Sequence, residues 1–356
     1  MLAKLSVDQA LTKARSHTNN GEFEEAQKLY QAVSQALSKQ AKDAQQGLAT
    51  LNKPKENNTT QSPPQQVIDQ LANLYNQGHL SSVVEQAKAL TEQYPGAFII
   101  WHILGSSASQ IGMPDQAITA FKKVISLKPD YADAYSNMGV ALHDLGKLDE
   151  AIEAFNKAVS IKPDYAVAFN NMGITLKDQG KTEEALVAYN KSISLKPDYA
   201  DAYYNMGNTL KAQYKFDDAI EAYKKVISFN PNHSETYYNM GRALKDLGKL
   251  DEAISAFNKV LTIEPSNADA YYNIGSTFKV QGKLDEAIEA YKQAISLNPN
   301  HSLVFNNLGN AFKDQGKLDE AIEAYTKALS IKSDYAEAYN NMGVVLQEQG
   351  KLDEAI

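Results

Sequence analysis

The segment GKLDEAI recurs verbatim at Gly146, Gly248, Gly282, Gly316 and Gly350, and every spacing is 34 residues or a multiple of it. A chain with that period folds as a stack of like units, each too small to bury an apolar face alone. Prolines near the end of each unit set the frame. Units begin at Phe98, Ala132, Ala166, Ala200, Ser234, Ala268 and Ser302, and an eighth starts at Ala336.

Within a unit the apolar positions are 4, 7, 8 and 11, then 20, 24 and 27, which is the 3.6-residue helical period on two successive helices. Position 4 is aromatic, from Trp101 through Tyr135 and Phe169 to Tyr339; position 8 is glycine, as in Gly139 and Gly241; position 20 is alanine, from Ala117 to Ala355. Position 24 is aromatic, as in Phe155, Tyr189 and Tyr291. Small residues at 8 and 20 let the two helices approach, and rings at 4 and 24 are expected to fill the space between neighbouring hairpins. Glycine at position 15 suits a turn of positive φ, the prolines such as Pro129 and Pro163 stop the second helix, and the Asp or Asn after most of them is expected to cap the next one. Two departures stand out. Tyr214 occupies the turn-glycine position, and Ser333 replaces the last proline.

These residues resemble the tetratricopeptide repeat (TPR) family, whose 34-residue signature is an aromatic, a Leu-Gly pair, a tyrosine, an alanine, an aromatic, an alanine and a proline. The resemblance implies an all-α, right-handed α-solenoid of helix-turn-helix repeats. The expected division is a divergent helical hairpin at 1–50, with Gly21, Phe23, Ala26 and Tyr30 on pattern, then a polar linker at 51–63. A degenerate repeat follows at 64–97, with Val67, Leu71, Leu74, Gly78, Val83, Ala87, Leu90 and Pro95 in place. Seven repeats occupy 98–335 (98–131, 132–165, 166–199, 200–233, 234–267, 268–301 and 302–335), and an incomplete one 336–356. A repeat stack ends on a polar-faced helix, so the pattern's breaking off at Ile356 leads us to expect a longer protein.

Composition excludes several functions. The 356 residues contain no cysteine, which removes disulfides, thiolate metal sites and thiol nucleophiles. The formal net charge is -8, without the basic excess that a phosphate backbone asks for, so nucleic acid is not an expected partner. The amino terminus has no apolar core of signal-peptide type and no run reaches the roughly 20 apolar residues of a membrane span, so a cytoplasmic, non-membrane protein is expected. His17, His79, His102, His143, His233 and His301 are scattered without metal-ligand spacing. No Walker A, G-x-S-x-G or dinucleotide segment occurs, and the acid pairs such as Asp149 with Glu150 suit a helix N-terminus. No catalytic residue, metal or cofactor is expected, and the chain is read as a non-enzyme.

In the TPR family the first helix of each hairpin lines the concave surface, with positions 2, 5, 6, 9, 12 and 13 facing the groove. Position 6 carries Asn137, Asn171, Asn205, Asn239, Asn273, Asn307 and Asn341. Amides once per repeat can hold an extended peptide backbone without reading its side chains. This row resembles the asparagine ladder of O-linked N-acetylglucosamine transferases, where it binds substrate polypeptide; asparagine is also the commonest choice there in TPR sequences generally. Position 12 carries Lys177, Lys211, Lys245, Lys279 and Lys313, and position 13 sets Asp144, Asp178, Asp246, Asp314 and Glu348 beside most of that row, which favours a charge-balanced face over an acid-binding one. Position 5 changes from Ser136 and Asn170 to Tyr204, Tyr238 and Tyr272, beside Arg242 at position 9. Those rings form either an aromatic strip in the groove or a cover over the ridge between hairpins.

The expected function is that of a protein–protein interaction scaffold, binding an extended or helical peptide in the groove. The alternative is the substrate-recruiting part of a larger enzyme, since the repeats and the leader before Trp101 are similar to bacterial proteins that continue into glycosyltransferase, sulfotransferase or oxygenase modules. End-to-end self-association is a third possibility.

Overall fold

The computed structural model describes residues 62–351 and isolated positions among residues 10–33. The chain divides into two units, Met1–Ser62 and Pro63–Ile356. Gly21, Phe23, Ala26 and Tyr30 of the expected first hairpin, most of the expected linker, and the residues after Lys351 lie outside the described residues.

In the second unit every described element is an α-helix. The first hairpin is α1 (Gln65–Asn76) with α2 (Leu80–Gln93). Helices of 13 and 14 residues then alternate: α3 (Phe98–Gln110), α4 (Pro114–Leu127), α5 (Ala132–Asp144), α6 (Leu148–Ile161), α7 (Ala166–Asp178) and α8 (Thr182–Leu195). They continue through α9 (Ala200–Ala212), α10 (Phe216–Phe229), α11 (Ser234–Asp246), α12 (Leu250–Ile263), α13 (Ala268–Val280), α14 (Leu284–Leu297), α15 (Ser302–Asp314), α16 (Leu318–Ile331) and α17 (Ala336–Glu348). Each helix packs on the next. From α3 onward each odd-numbered helix also touches the odd-numbered helices on either side, whereas among the described residues no even-numbered helix touches another even-numbered one. The odd-numbered helices therefore line the narrower, inner face of a solenoid and the even-numbered ones its outer face.

The hairpin turn depends on a left-handed residue. Glycines from Gly78 to Gly350 sit there at φ between 73° and 83°, and Tyr214 takes the same place at φ 60°. The turn survives the tyrosine, because the Lys215 N–H still donates to the Leu210 carbonyl at 3.0 Å, as the Lys147 N–H does to Leu142 at 2.9 Å. Ser333 is equally well absorbed. Helix α16 ends at Ile331, and Lys332 adopts the extended conformation (φ -131°, ψ 95°) that the residue before each proline adopts elsewhere.

Two expectations need correction. The rings at position 24 do not lie between hairpins; they fill the interior of their own. A Cβ on Gly173 would stand 2.6 Å from the Tyr189 ring, and one on Gly139 2.8 Å from Phe155, so glycine at position 8 is the space into which the opposite ring fits. Rings at position 4 do face a neighbouring hairpin: Phe169, Met172 and Leu176 of α7 meet Ile152 of α6 along a crevice on the outer face. Nor does the Asp or Asn after the proline cap the next helix. That residue lies in the turn, and the N-cap is the residue after it, a tyrosine in four units, so that only His233 and Asn267 accept a bond from the first turn, from Thr236 N and Ala270 N. Burial of the hairpin interface, not capping, fixes where these helices begin.

Candidate peptide-binding groove

The position-6 asparagines are half-buried to buried on the inner helices, and their amides stitch hairpins together. Asn239 Nδ2 donates to the Tyr204 hydroxyl, Asn273 Nδ2 to that of Tyr238 and Asn307 Nδ2 to that of Tyr272, each at 3.0 Å. Where position 5 is asparagine the same bond forms to its amide oxygen, from Asn205 to Asn170 and from Asn341 to Asn306, both at 3.1 Å. Asn137 stands 3.4 Å from the His102 ring nitrogen, and Asn171 accepts from the adjacent Asn170 at 3.3 Å. The position-6 side chain thus bonds to position 5 of the preceding repeat in six of seven cases. Two amides are oriented by second contacts. Asn273 Nδ2 also donates to the Asp269 carbonyl at 2.8 Å, and Asn239 Oδ1 accepts from Lys211 Nζ at 2.6 Å. With Nδ2 held inside, the oxygens of Asn205, Asn273, Asn307 and Asn341 have no partner among the described residues.

Tyr204, Tyr238 and Tyr272 therefore cover the ridge between hairpins rather than forming a free aromatic strip. All three are half-buried, and burial raises their hydroxyl pKa values; for Tyr204, burial and then a hydrogen bond to Glu235 push it up to about 12. They remain neutral and able to accept.

A compensation that the sequence reading missed explains why tyrosine enters position 5 where it does. Where position 5 is Tyr204, Tyr238 or Tyr272, position 34 is His233, Asn267 or His301; where position 34 is Tyr165, Tyr199 or Tyr335, position 5 is Ser136, Asn170 or Asn306. The two positions fill one space. His233 packs on Tyr204 with ring centroids 5.3 Å apart, and His301 stacks on Tyr272 at 6.0 Å. Comparing residues 29 apart along the chain reveals the exchange.

The charged rows are joined across repeats. His143 Nε2 meets Asp178 at 2.9 Å and Lys279 Nζ meets Asp314 at 3.3 Å, each pairing position 12 with position 13 of the next repeat. Lys177 pairs with its neighbour Asp178 at 3.0 Å. Among the described residues Lys211, Lys245, Lys313 and Arg242 have no carboxylate within ion-pair distance. Burial first, and then the Arg242 charge, lowers the Lys211 pKa; burial and Arg242 also lower that of Lys245 against the opposing pull of Asp246. The acids in the first turn of the outer helices serve as struts: Gln179 donates to Asp149 at 2.5 Å, Gln213 to Glu183 at 2.8 Å and Gln315 to Asp285 at 2.7 Å. No helix among the described residues is long and apolar enough to cross a membrane.

Residues 166–356 match the family model of the Cilia and flagella-associated protein 70 C-terminal domain, 130–198 a tetratricopeptide repeat model and 111–146 a TPR repeat model. No curated protein matches the chain. Among solved structures, the C-terminal part of a TPR repeat-containing protein from Cytophaga hutchinsonii is 18% identical with a TM-score of 0.59, covering 67% of this chain and 98% of that one. YrrB, described as a TPR protein with an unusual peptide-binding site, is 28% identical with a TM-score of 0.48, covering 53% and 97%. MamA is 32% identical with a TM-score of 0.43, covering 48% and 94%. The repeat register, the paired helices and a family model that spans more than half of the chain agree: the chain belongs to the tetratricopeptide repeat family, and within it to the group matched by the Cilia and flagella-associated protein 70 C-terminal domain model.

Proposed function

We propose that this protein is an interaction scaffold whose inner face holds an extended segment of a partner polypeptide along the position-6 asparagines. The observation that carries the reading is the fixed orientation of these amides. Six of the seven are bonded to position 5 of the preceding repeat, and Asn205, Asn273, Asn307 and Asn341 keep an acceptor oxygen with no partner among the described residues, set at little further entropic cost for capture of backbone N–H groups. An acidic net charge of -8 favours a protein partner over nucleic acid. In this reading the described repeats act by binding, and any chemistry on the bound partner belongs to other residues.

The test is to enrich peptides from a random display library on the whole protein and titrate them against three forms by fluorescence anisotropy. Wild type and the outer-face variant Val187→Ala should bind alike, whereas Asn205→Ala/Asn307→Ala should lose about tenfold, the equivalent of one or two hydrogen bonds. Circular dichroism confirms that the variants remain helical. Equal binding by all three forms rejects the groove as the site.

A further inference from the structure

Resting on that reading, we infer that the middle of the groove carries an anion subsite, formed by Lys211, Arg242 and Lys245, that takes an aspartate or glutamate side chain of the bound segment. The argument starts from the ladder that pairs position 12 with position 13 of the next repeat. His143 with Asp178 and Lys279 with Asp314 satisfy it. For Lys245 the next position 13 is Val280, an exposed apolar residue, so the carboxylate that closes the ladder elsewhere is missing. Lys245 Nζ reaches only the Ser276 hydroxyl, at 3.4 Å. The ladder sets Asp246 opposite Lys211, but the Lys211 ammonium bonds to Asn239 Oδ1 instead of that acid.

Arg242 adds a third charge one turn from Lys245. Position 9 is otherwise Ser, Val, Ile or Asn, and Arg242 is exposed on the inner helix α11. The carboxylates that do face the cluster, Glu235 and Asp246, act on it only through space, without ion-pair contact. Three cations held on adjacent inner helices without direct counter-ions repel one another, and a carboxylate entering between them relieves that repulsion. A guanidinium fork and two ammonium donors suit a carboxylate oxygen pair. The ammonium of Lys211 and the amide of Asn239 form one chain with the Tyr204 hydroxyl, so the subsite is held in place by the same bonds that join the repeats.

Two labelled peptides test the proposal: a short Gly-Ser peptide with two adjacent glutamates, and the same peptide with two glutamines. Both are titrated against the whole protein at low salt. The glutamate peptide should bind about tenfold tighter to wild type, and the preference should vanish in Arg242→Gln/Lys245→Gln, which touches no bond between repeats other than that to Ser276. Rising salt should shrink the preference. Equal binding of both peptides to wild type, or a preference that survives in the variant, overturns the subsite while leaving the groove reading intact. If neither peptide binds, the proposal fails together with the backbone-capture reading on which it rests.

Discussion

Replacing Tyr214 by glycine should stabilise the α9–α10 hairpin, whereas replacing Gly180 by alanine at the equivalent turn should destabilise its own. Tyr214 is the one described non-glycine residue in the left-handed region, at φ 60°. An L-residue there costs roughly 1–2 kcal/mol. Against that gain, glycine adds roughly 0.5–1 kcal/mol of unfolded-chain entropy. The edge contact of the Tyr214 ring with Phe216, at 5.9 Å, is worth about 0.5 kcal/mol at a residue 82% exposed. Tyr214→Gly should therefore gain about 0.5 kcal/mol, a twofold slowing of local opening. Gly180 lies at φ 83° and an added Cβ meets nothing within 4 Å, so the Gly180→Ala cost is conformational alone, about 1 kcal/mol or fivefold faster opening. Amide hydrogen exchange resolved to single helices is the suitable assay, because neighbouring repeats blur a global unfolding curve. Faster exchange in Tyr214→Gly, or unchanged exchange in Gly180→Ala, would refute the reasoning.

Gly173→Ala drives a Cβ to 2.6 Å from the enclosed Tyr189 ring and should cost about 1–3 kcal/mol, measured by urea denaturation and less than additive with Tyr189→Ala. The Tyr223 hydroxyl donates to Asn208 at 2.7 Å, whereas the buried Tyr189 hydroxyl has no hydrogen-bond partner among the described residues; Tyr223→Phe should cost about 1 kcal/mol, and Tyr189→Phe should be neutral or stabilising, on the same assay. Burial holds the His102 pKa below its ordinary value, with Asp133 opposing. The unfolded chain therefore takes up the proton first as pH falls. Thermal stability should be full above about pH 6.5 and decline below it toward the lowered folded pKa, and His102→Phe should flatten that decline.

The hairpin architecture was legible because each unit repeats the same constraints: glycine at 8 and alanine at 20 mark where two helices approach closely, and the glycine at 15 marks the turn between them. The assignment of the rings to faces was less so. A ring at 24 and a ring at 4 have the same helical period, and only the distance from Gly173 to Tyr189 separates the ring inside a hairpin from the ring between hairpins. The asparagine row was visible as a pattern, but its bond to position 5 of the preceding repeat was not, since it links residues 35 apart on different helices. The reading of the lysine row as charge-balanced holds at Lys177 and Lys279, which pair with Asp178 and Asp314, and fails at Lys211, Lys245 and Lys313, which have no ion-pair partner among the described residues. Position alone could not sort the pairs, because Lys177 pairs with its own neighbour and Lys279 with the next repeat.

The central claim is that a partner polypeptide lies along the inner face. The most direct test places a photoreactive phenylalanine analogue at Arg242 on the inner helix α11 and, in a separate variant, at Val187, which is 70% exposed on the outer helix α8. Display-enriched peptides should crosslink at position 242 and not at 187, and unlabelled peptide should compete the product away. Crosslinking at 187 with none at 242 would contradict the account.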